Sequence, residues 1–221
     1  MLDSAKRVAK HALPESIYSA ASTTWRAVRE SIDAALLRLL AKRGYTATRL
    51  PAGSYASETS KCRLRLGTFC QGYGVDLGFG GDPISETAIR IDSPQPYAST
   101  GPYKVQLGGD ARYLVWFKDS VLDYVYSSHL LEDFYDTKSV LVEWLRVLRP
   151  GGRLIIFCPD EQIYRRYCRT HALTYNVHHK IEDFNLKKVK ETFDEIGNTR
   201  VIHENPLVDE YSWEIVVEKT A

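Results

Sequence analysis

The sequence predicts an α/β protein in which a mostly parallel sheet carries helices on both faces. Three observations support this class. Strand-like and helix-like segments alternate from about residue 62 onward. A glycine-rich turn follows the first strand-like segment, as in sheets that bind a ligand at their strand ends. The chain has 221 residues, of which 44% are hydrophobic and 26% charged, enough for one sizeable core.

Seven short apolar segments have the length and composition of strands. In chain order they cover residues 73–77, 88–92, 103–107, 121–126, 153–157, 200–203 and 213–217. The first runs directly into glycines. The fifth is a nearly continuous apolar run, which is typical of a strand buried on both faces.

Two helices are predicted between these strands, at residues 137–148 and 185–196. The first has an apolar stripe at helical spacing, formed by Val140, Leu141, Trp144, Leu145, Val147 and Leu148. A Pro-Gly-Gly turn at residues 150–152 ends it, and Gly197 ends the second.

Residues 1–50 are predicted to form a helical extension, and residues 51–221 the main domain. Apolar residues such as Ile32, Leu36 and Leu39 recur at helical spacing there, with arginines and lysines mostly on the other face. Two interpretations stay open. The extension either makes a peripheral contact with an anionic membrane or a partner, or packs on the domain with a solvated basic face.

The bulk composition excludes several classes of protein. The formal net charge of +1 disfavours a nucleic-acid binder. The four cysteines contain no C-x-x-C pair, and we expect reduced thiols and a cytoplasmic location. No apolar run approaches the roughly 18 residues of a membrane span, and the start lacks the apolar core of a signal peptide.

The glycine-rich turn contains the pattern D-x-G-x-G, formed by Asp76, Gly78 and Gly80. A dinucleotide site needs G-x-G-x-x-G, and its third glycine would fall on Pro83, so that fingerprint fails. The observed pattern suits a sulfonium cofactor. Such a cofactor has no pyrophosphate and needs acceptors for an ammonium group and ribose hydroxyls instead.

Two further acids follow predicted strands. Asp92 ends the second strand, where a carboxylate can accept both hydrogen bonds of a ribose diol. Asp110 follows the third strand, where it could accept a bond from an adenine amino group. The alternative for each acid is a turn or helix cap.

A second informative stretch carries Ser128, His129 and Leu131-Glu132-Asp133, and Arg146-Val147-Leu148-Arg149-Pro150-Gly151-Gly152 follows it. Together with the D-x-G-x-G turn and the two acids, it resembles the type 11 family of class I S-adenosylmethionine-dependent methyltransferases. The five motifs occur in order over roughly residues 72–158. The resemblance implies a Rossmann-like, seven-stranded sheet with an antiparallel last strand, and S-adenosylmethionine as the cofactor.

The resemblance also implies roles for individual residues. The methionine part would contact Asp76, Gly78 and Gly80, with Gly81 in the same turn. Asp92 would hold the ribose, and Asp110 and Ala111 would frame the adenine. Ser128 and His129 would lie beside the sulfonium and the acceptor. The chain departs from the family at three places. Asp133 replaces a histidine, and Phe79 occupies a position in the glycine turn where the family has a cysteine or a small residue. The short gap from Asp76 to Asp92 leaves room only for a brief helix.

Methyl transfer needs a general base only when the acceptor holds its proton tightly, as a sugar hydroxyl does. His129, His179 and Asp133 are the candidates, and the alternative is that they are polar residues shaping the acceptor pocket. His178, His179, Glu182 and Asp183 are metal-ligand types, but adjacent histidines point in different directions, so no metal is predicted.

The sequence therefore predicts O-methylation of a carbohydrate, a glycolipid or another small hydroxylated acceptor. Two alternatives stay open: an N- or C-methyltransferase on a small metabolite, and a regulatory protein that binds the cofactor without turnover. The oligomeric state is not predicted.

Overall fold

The computed structural model describes residues 57–96 and 103–221, which contain one seven-stranded sheet. Its strands are β1 (Gly74–Leu77), β2 (Ile89–Asp92), β3 (Leu107–Gly108), β4 (Leu122–Ser128), β5 (Leu148–Pro159), β6 (Thr199–Val208) and β7 (Ser212–Lys219). The helices are α1 (Glu58–Leu66), α2 (Thr137–Val147), α3 (Glu161–His171) and α4 (Leu186–Ile196). Short 3-10 turns cover Gly67–Phe69 and Leu131–Asp133.

The strand order is β3-β2-β1-β4-β5-β7-β6. The first five of these are parallel, and β7 runs antiparallel to both of its neighbours. The chain changes direction across the sheet between β1 and β4, so the crevice for a ligand is expected at the carboxyl ends of these strands. This topology confirms the predicted Rossmann-like sheet with an antiparallel last strand.

Alternating residues of the central strands build a core on each face of the sheet. On one face, Val125 and Ile156 pack with Trp144 of α2 and Phe193 of α4. On the other face, Cys62 and Leu66 of α1 pack with strand side chains, which are Tyr124, Tyr126, Ile155, Phe157 and Val216. Helices therefore cover both faces, as predicted.

A polar side chain caps the start of each described α-helix. Ser57, Asp136, Asp160 and Asn185 accept a hydrogen bond from the backbone N–H three residues later. Such a cap typically stabilises a helix by about 1 kcal/mol and fixes where it begins. The cap of α3 places the next residue, Glu161, at the end of β5 and beside the crevice.

Some predicted elements were wrong in detail. No helix lies between β1 and β2 in the described chain, because Gly80 and Gly81 have positive φ angles and Pro83 follows closely. The third strand contains only Leu107–Gly108 rather than residues 103–107. The Pro-Gly-Gly turn belongs to an irregular start of β5, with a register shift against β4.

Helices α1 and α3 were not predicted from the sequence. The predicted extension, residues 1–50, lies outside the described residues. Within the described residues, no helix has the length and hydropathy needed to cross a membrane.

Candidate functional site

A cavity of about 290 Å³ opens at the carboxyl ends of β1, β2 and β4. One wall is formed by the glycine turn and the ends of β2 and β4, through Gly78, Phe79, Gly80, Asp92 and Ser128. The opposite wall carries titratable and aromatic side chains and one amide, which are Glu58, His129, Tyr164, Asn176, His179 and Tyr211. The two walls differ in chemistry, so each is described in turn.

The glycine turn presents bare backbone to the cavity. Gly78 has a φ of +66°, and a Cβ atom there would lie 2.9 Å from Cδ2 of Leu130. Its N–H donates to the carbonyl of Ile91 at 2.8 Å, which ties the turn to β2. Gly80 has a φ of +58° with no atom closer than 4.0 Å to its missing Cβ. The turn therefore requires glycine and leaves space for a ligand beside it.

Asp76 lies beneath this turn and does not line the cavity. Its Oδ2 accepts a hydrogen bond from the N–H of Ile84 at 2.6 Å. Its Oδ1 is buried with no partner among the described residues, and burial raises the pKa of Asp76 well above its ordinary value. Gly81 also lies off the cavity wall. The predicted contacts of Asp76 and Gly81 with the cofactor stay predictions.

Asp92 and Ser128 supply polar atoms to the cavity wall that carries the glycine turn. Asp92 accepts hydrogen bonds from the N–H of Gly80 at 3.2 Å and the N–H of Ser93 at 2.7 Å. A carboxylate offers about four acceptor sites, so Asp92 retains capacity for a ribose diol. Burial raises the pKa of Asp92. The buried Oγ of Ser128 has no partner within the described part of the chain. The bare turn, the carboxylate and this unpartnered hydroxyl fit an adenosyl sulfonium.

The predicted adenine residues do not line the cavity. Asp110 is exposed and pairs with Arg112 at 2.6 Å, and this hydrogen bond lowers the pKa of Asp110. The carbonyl of Ala111 accepts a bond from Trp144 Nε1 at 2.8 Å. The ring of Trp116 packs on Gly109, whose N–H donates to the carbonyl of Asp92 at 2.9 Å. The adenine roles stay predictions.

His129 directly follows β4 and has a φ of +50°, and its side chain lines the cavity. Its Nε2 lies 3.3 Å from Ser212 Oγ and 3.3 Å from Glu58 Oε2. Burial lowers the pKa of His129 to about 4, and the nearby Glu58 charge only partly opposes this effect. The imidazole is therefore neutral at physiological pH.

His179 is held by a buried carboxylate. Its Nδ1 lies 2.7 Å from Glu161 Oε2, and Glu161 Oε1 accepts a bond from Arg165 Nε at 2.7 Å. Burial by itself would lower the pKa of His179. The hydrogen bond to Glu161 and the charge of that carboxylate outweigh it, so the pKa is raised. With Nδ1 donating to Glu161, Nε2 is left as a proton acceptor.

Glu132 is the group that joins the two histidines, and the sequence analysis did not select it. Its Oε1 lies 3.6 Å from His179 Nε2 and 3.7 Å from His129 Nδ1. The side chain is fully buried, and burial raises the pKa of Glu132 to about 8. The neighbouring candidate Asp133 is half-buried and does not line the cavity.

The other residues that the sequence analysis missed are Glu58, Glu161, Tyr164 and Tyr211. The sequence Asp160-Glu161 after β5 is typical of a helix start, with Asp160 as the cap and Glu161 in the first turn. This pattern could have identified α3 and the acid at its beginning. Tyr211 lies in the turn before β7, and no local pattern places it at the cavity. Among the described residues, no group of three or more potential ligand side chains is arranged to hold a metal ion.

Comparison with known proteins agrees with this geometry. Residues 52–156 match the model of a methyltransferase domain family. No curated protein sequence gives a significant match. A protein of Pyrococcus horikoshii OT3 is similar in structure, with a TM-score of 0.58, 18% identity and coverage of 77% of this chain and 93% of that one.

Two structures of S-adenosylmethionine-dependent methyltransferases are also similar. The first, from Thermotoga maritima, has a TM-score of 0.55 and 19% identity, and the match covers 76% of this chain and 90% of that one. The second, from Archaeoglobus fulgidus, has a TM-score of 0.56 and 16% identity, and the match covers 73% and 92%. At these identities the structures establish the fold, and the match over residues 52–156 indicates a methyltransferase domain that uses S-adenosylmethionine.

Proposed function

We propose that this methyltransferase transfers the methyl group to a hydroxyl of a small acceptor, with carbohydrates and glycolipids as the expected class. The observation that carries the proposal is the buried pair of His179 and Glu161, of which His179 lines the cavity. An alcohol must lose its proton as the new bond forms, whereas an amine often presents a free lone pair. A buried, oriented base therefore favours a hydroxyl acceptor.

The wall that carries the glycine turn, here called the cofactor wall, binds the methyl donor in this proposal. Gly78 and Gly80 would hold the methionine part along bare backbone, and Asp92 would accept the ribose hydroxyls. When bound, S-adenosylmethionine supplies a methyl group on an already activated sulfonium. The side chains then have to orient the acceptor and exclude water rather than activate the donor.

The base acts through its partner carboxylate. Nε2 of His179 takes the hydroxyl proton, and Glu161 fixes the ring through Nδ1 and stabilises the imidazolium that forms. Glu132 lies 3.6 Å from the same Nε2 and provides a second buried carboxyl group that shares a proton with it. His129, whose pKa is about 4, stays neutral and positions groups instead of carrying a charge.

The opposite wall of the cavity, here called the acceptor wall, has features suited to a sugar. The ring of Tyr164 lies 5.1 Å from those of His179 and Tyr211. The hydroxyl of Tyr211 donates to Glu58 at 3.2 Å and accepts from Lys61 at 3.1 Å. Aromatic faces beside oriented hydrogen-bonding groups match the apolar faces and hydroxyls of a small carbohydrate.

The test measures S-adenosylhomocysteine release with an acceptor panel of sugars, other alcohols and amines, followed by mass spectrometry of the product. We expect transfer to a hydroxyl, and a fall in kcat of about a hundredfold or more in His179→Gln with unchanged cofactor affinity. The exposed His171, outside the cavity, provides the control variant His171→Gln. Transfer to amines only, with full activity in His179→Gln, would contradict the proposal and favour an N-methyltransferase.

We also propose a cytoplasmic location. The four cysteines, Cys62, Cys70, Cys158 and Cys168, are all free and buried. Free thiols are typical of a reducing compartment. Localisation of a tagged full chain by microscopy or fractionation tests this, and recovery from an oxidising compartment would contradict it.

A further inference from the structure

One segment beside the acceptor wall has an unusual charge pattern. Residues 162–180 contain three arginines, one lysine and three histidines, and no aspartate or glutamate. The chain as a whole has nearly equal numbers of acids and bases, 28 against 29. The absence of acids over nineteen residues therefore sets this segment apart. We call residues 162–180, which form most of α3 and the loop after it, the basic segment.

Its cations are available to a partner. Arg166, Arg169 and Lys180 are exposed, and none of them has an ion pair among residues 57–96 and 103–221. The neighbouring acids pair with other cations than these three. Glu182 lies 3.3 Å from Arg165, which also pairs with Glu161, and Asp183 pairs with Lys188. The exposed positive charge thus has no internal counterion in the described chain.

The basic segment also exposes large apolar side chains. Leu173 is 55% exposed, Tyr175 48% and Val177 70%. These three positions fall within five residues of one loop. Apolar side chains interspersed with cations are the combination that inserts into the headgroup region of an anionic bilayer.

The loop is fixed to the helix and to the cavity. The N–H of Leu173 donates to the carbonyl of Cys168 at 2.9 Å, and the guanidinium of Arg165 lies 5.1 Å from the ring centre of Tyr175. The N–H of Asn176 donates to the Tyr164 hydroxyl at 3.0 Å, and both side chains line the cavity. The exposed residues therefore lie beside the acceptor wall.

We propose that the basic segment docks on an anionic phospholipid surface and brings the mouth of the cavity to the membrane interface. Charge complementarity selects the occupant, since Arg166, Arg169 and Lys180, which have no acidic partner among the described residues, attract phosphate headgroups, and the exposed apolar side chains enter the layer below. The expected acceptor is then an amphipathic molecule whose hydroxyl lies at the headgroup level. Docking itself does not depend on which atom is methylated.

The experiment measures partition of the full chain onto vesicles of phosphatidylglycerol mixed with phosphatidylcholine, against vesicles of phosphatidylcholine alone. Arg166→Gln/Arg169→Gln removes two of the free charges, and Leu173→Ser/Val177→Ser removes two of the apolar side chains. Lys104→Gln/Lys118→Gln and Leu64→Ser are the matched controls, because these residues are exposed and outside the cavity wall. Circular dichroism and cofactor affinity verify that each variant is folded.

We expect binding to the anionic vesicles only. The partition coefficient should fall about thirtyfold in the double arginine variant and about tenfold or more in the apolar variant, with the controls unchanged. Three results would overturn the proposal: no preference of the wild type for anionic vesicles, wild-type binding by both basic-segment variants, or an equal loss in the controls. Turnover of a water-soluble acceptor by the variants is a separate readout, so that failure of docking and failure of the proposed O-methylation are distinguishable.

Discussion

Replacing Glu132 by glutamine should make the fold more stable at neutral and alkaline pH. The carboxyl group is fully buried, and the side chain that hydrogen-bonds to it is the weakly donating thiol of Cys158. Two histidine rings lie 3.6 and 3.7 Å from it. Burial outweighs the attraction of His179 and raises the pKa of Glu132 from 4.5 to about 8. Glutamine has nearly the same shape and no proton to lose.

The magnitude follows from the linkage between proton binding and folding. Between pH 4.5 and 8 the folded protein keeps the Glu132 proton while the unfolded chain loses it. The free energy of unfolding therefore falls as pH rises, by about 1.4 kcal/mol for each pH unit in this window. From pH 5 to pH 7.5, Glu132→Gln should gain about 3 kcal/mol relative to wild type.

Urea unfolding of wild type and variant at several pH values measures this difference, and contributions from groups common to both proteins cancel. Glu143→Gln is an informative control. The hydrogen bond from Arg146 lowers the pKa of Glu143, so the stability of that variant relative to wild type should fall as pH rises toward 4.5 and stay nearly level from pH 5 to 7.5. Parallel stability curves for wild type and Glu132→Gln would refute the reasoning. A stabilised variant with reduced turnover would indicate that the carboxyl group serves the reaction.

Three further predictions concern the same cavity. Glu161→Gln should lower the pKa of His179, so the rising limb of the kcat–pH profile should move to lower pH. The plateau value of kcat should also fall about a hundredfold. A rising limb at the wild-type pH would contradict the pairing of Glu161 with His179. Asp92→Ala should weaken S-adenosylmethionine binding by about 1.5–3 kcal/mol in calorimetry, and an affinity equal to that of an Asp119→Ala control excludes the ribose role. Relative to His129→Gln, wild type should lose about 3 kcal/mol of stability as pH falls from 6.5 to 4, because the pKa of His129 is about 4 when folded. Urea unfolding of both proteins measures this difference, and parallel stability curves over that range would contradict it.

The sequence identified the sheet well because its strands are apolar runs that end in readable turns. The segments around β1, β2, β4 and β5 were predicted near their observed positions, and the motifs on them selected Gly78, Gly80 and Asp92 on the cavity wall. These features are local, since a strand and the turn that follows it are contiguous in the chain.

The acceptor wall was harder to predict because distant segments build it. Glu161 follows β5 and is hydrogen-bonded to His179, which lies eighteen residues later in the sequence. Tyr211 comes from the turn before β7. Helix α3 was missed because its buried positions include Glu161 and few apolar residues, so its apolar stripe is short. Glu132 was passed over for Asp133, because the sequence alone does not show which of two adjacent acids faces inward.

The position of Trp116 should make the intrinsic fluorescence of the protein sensitive to cofactor binding. Trp144 and Trp213 are completely buried, whereas Trp116 is 41% exposed and its indole covers Gly109, which is hydrogen-bonded to Asp92. In a Trp25→Phe background, acrylamide should quench mainly the emission of Trp116. Titration with the methyl donor would then give a fluorescence signal without any label, and this signal would support rapid mixing measurements of cofactor exchange.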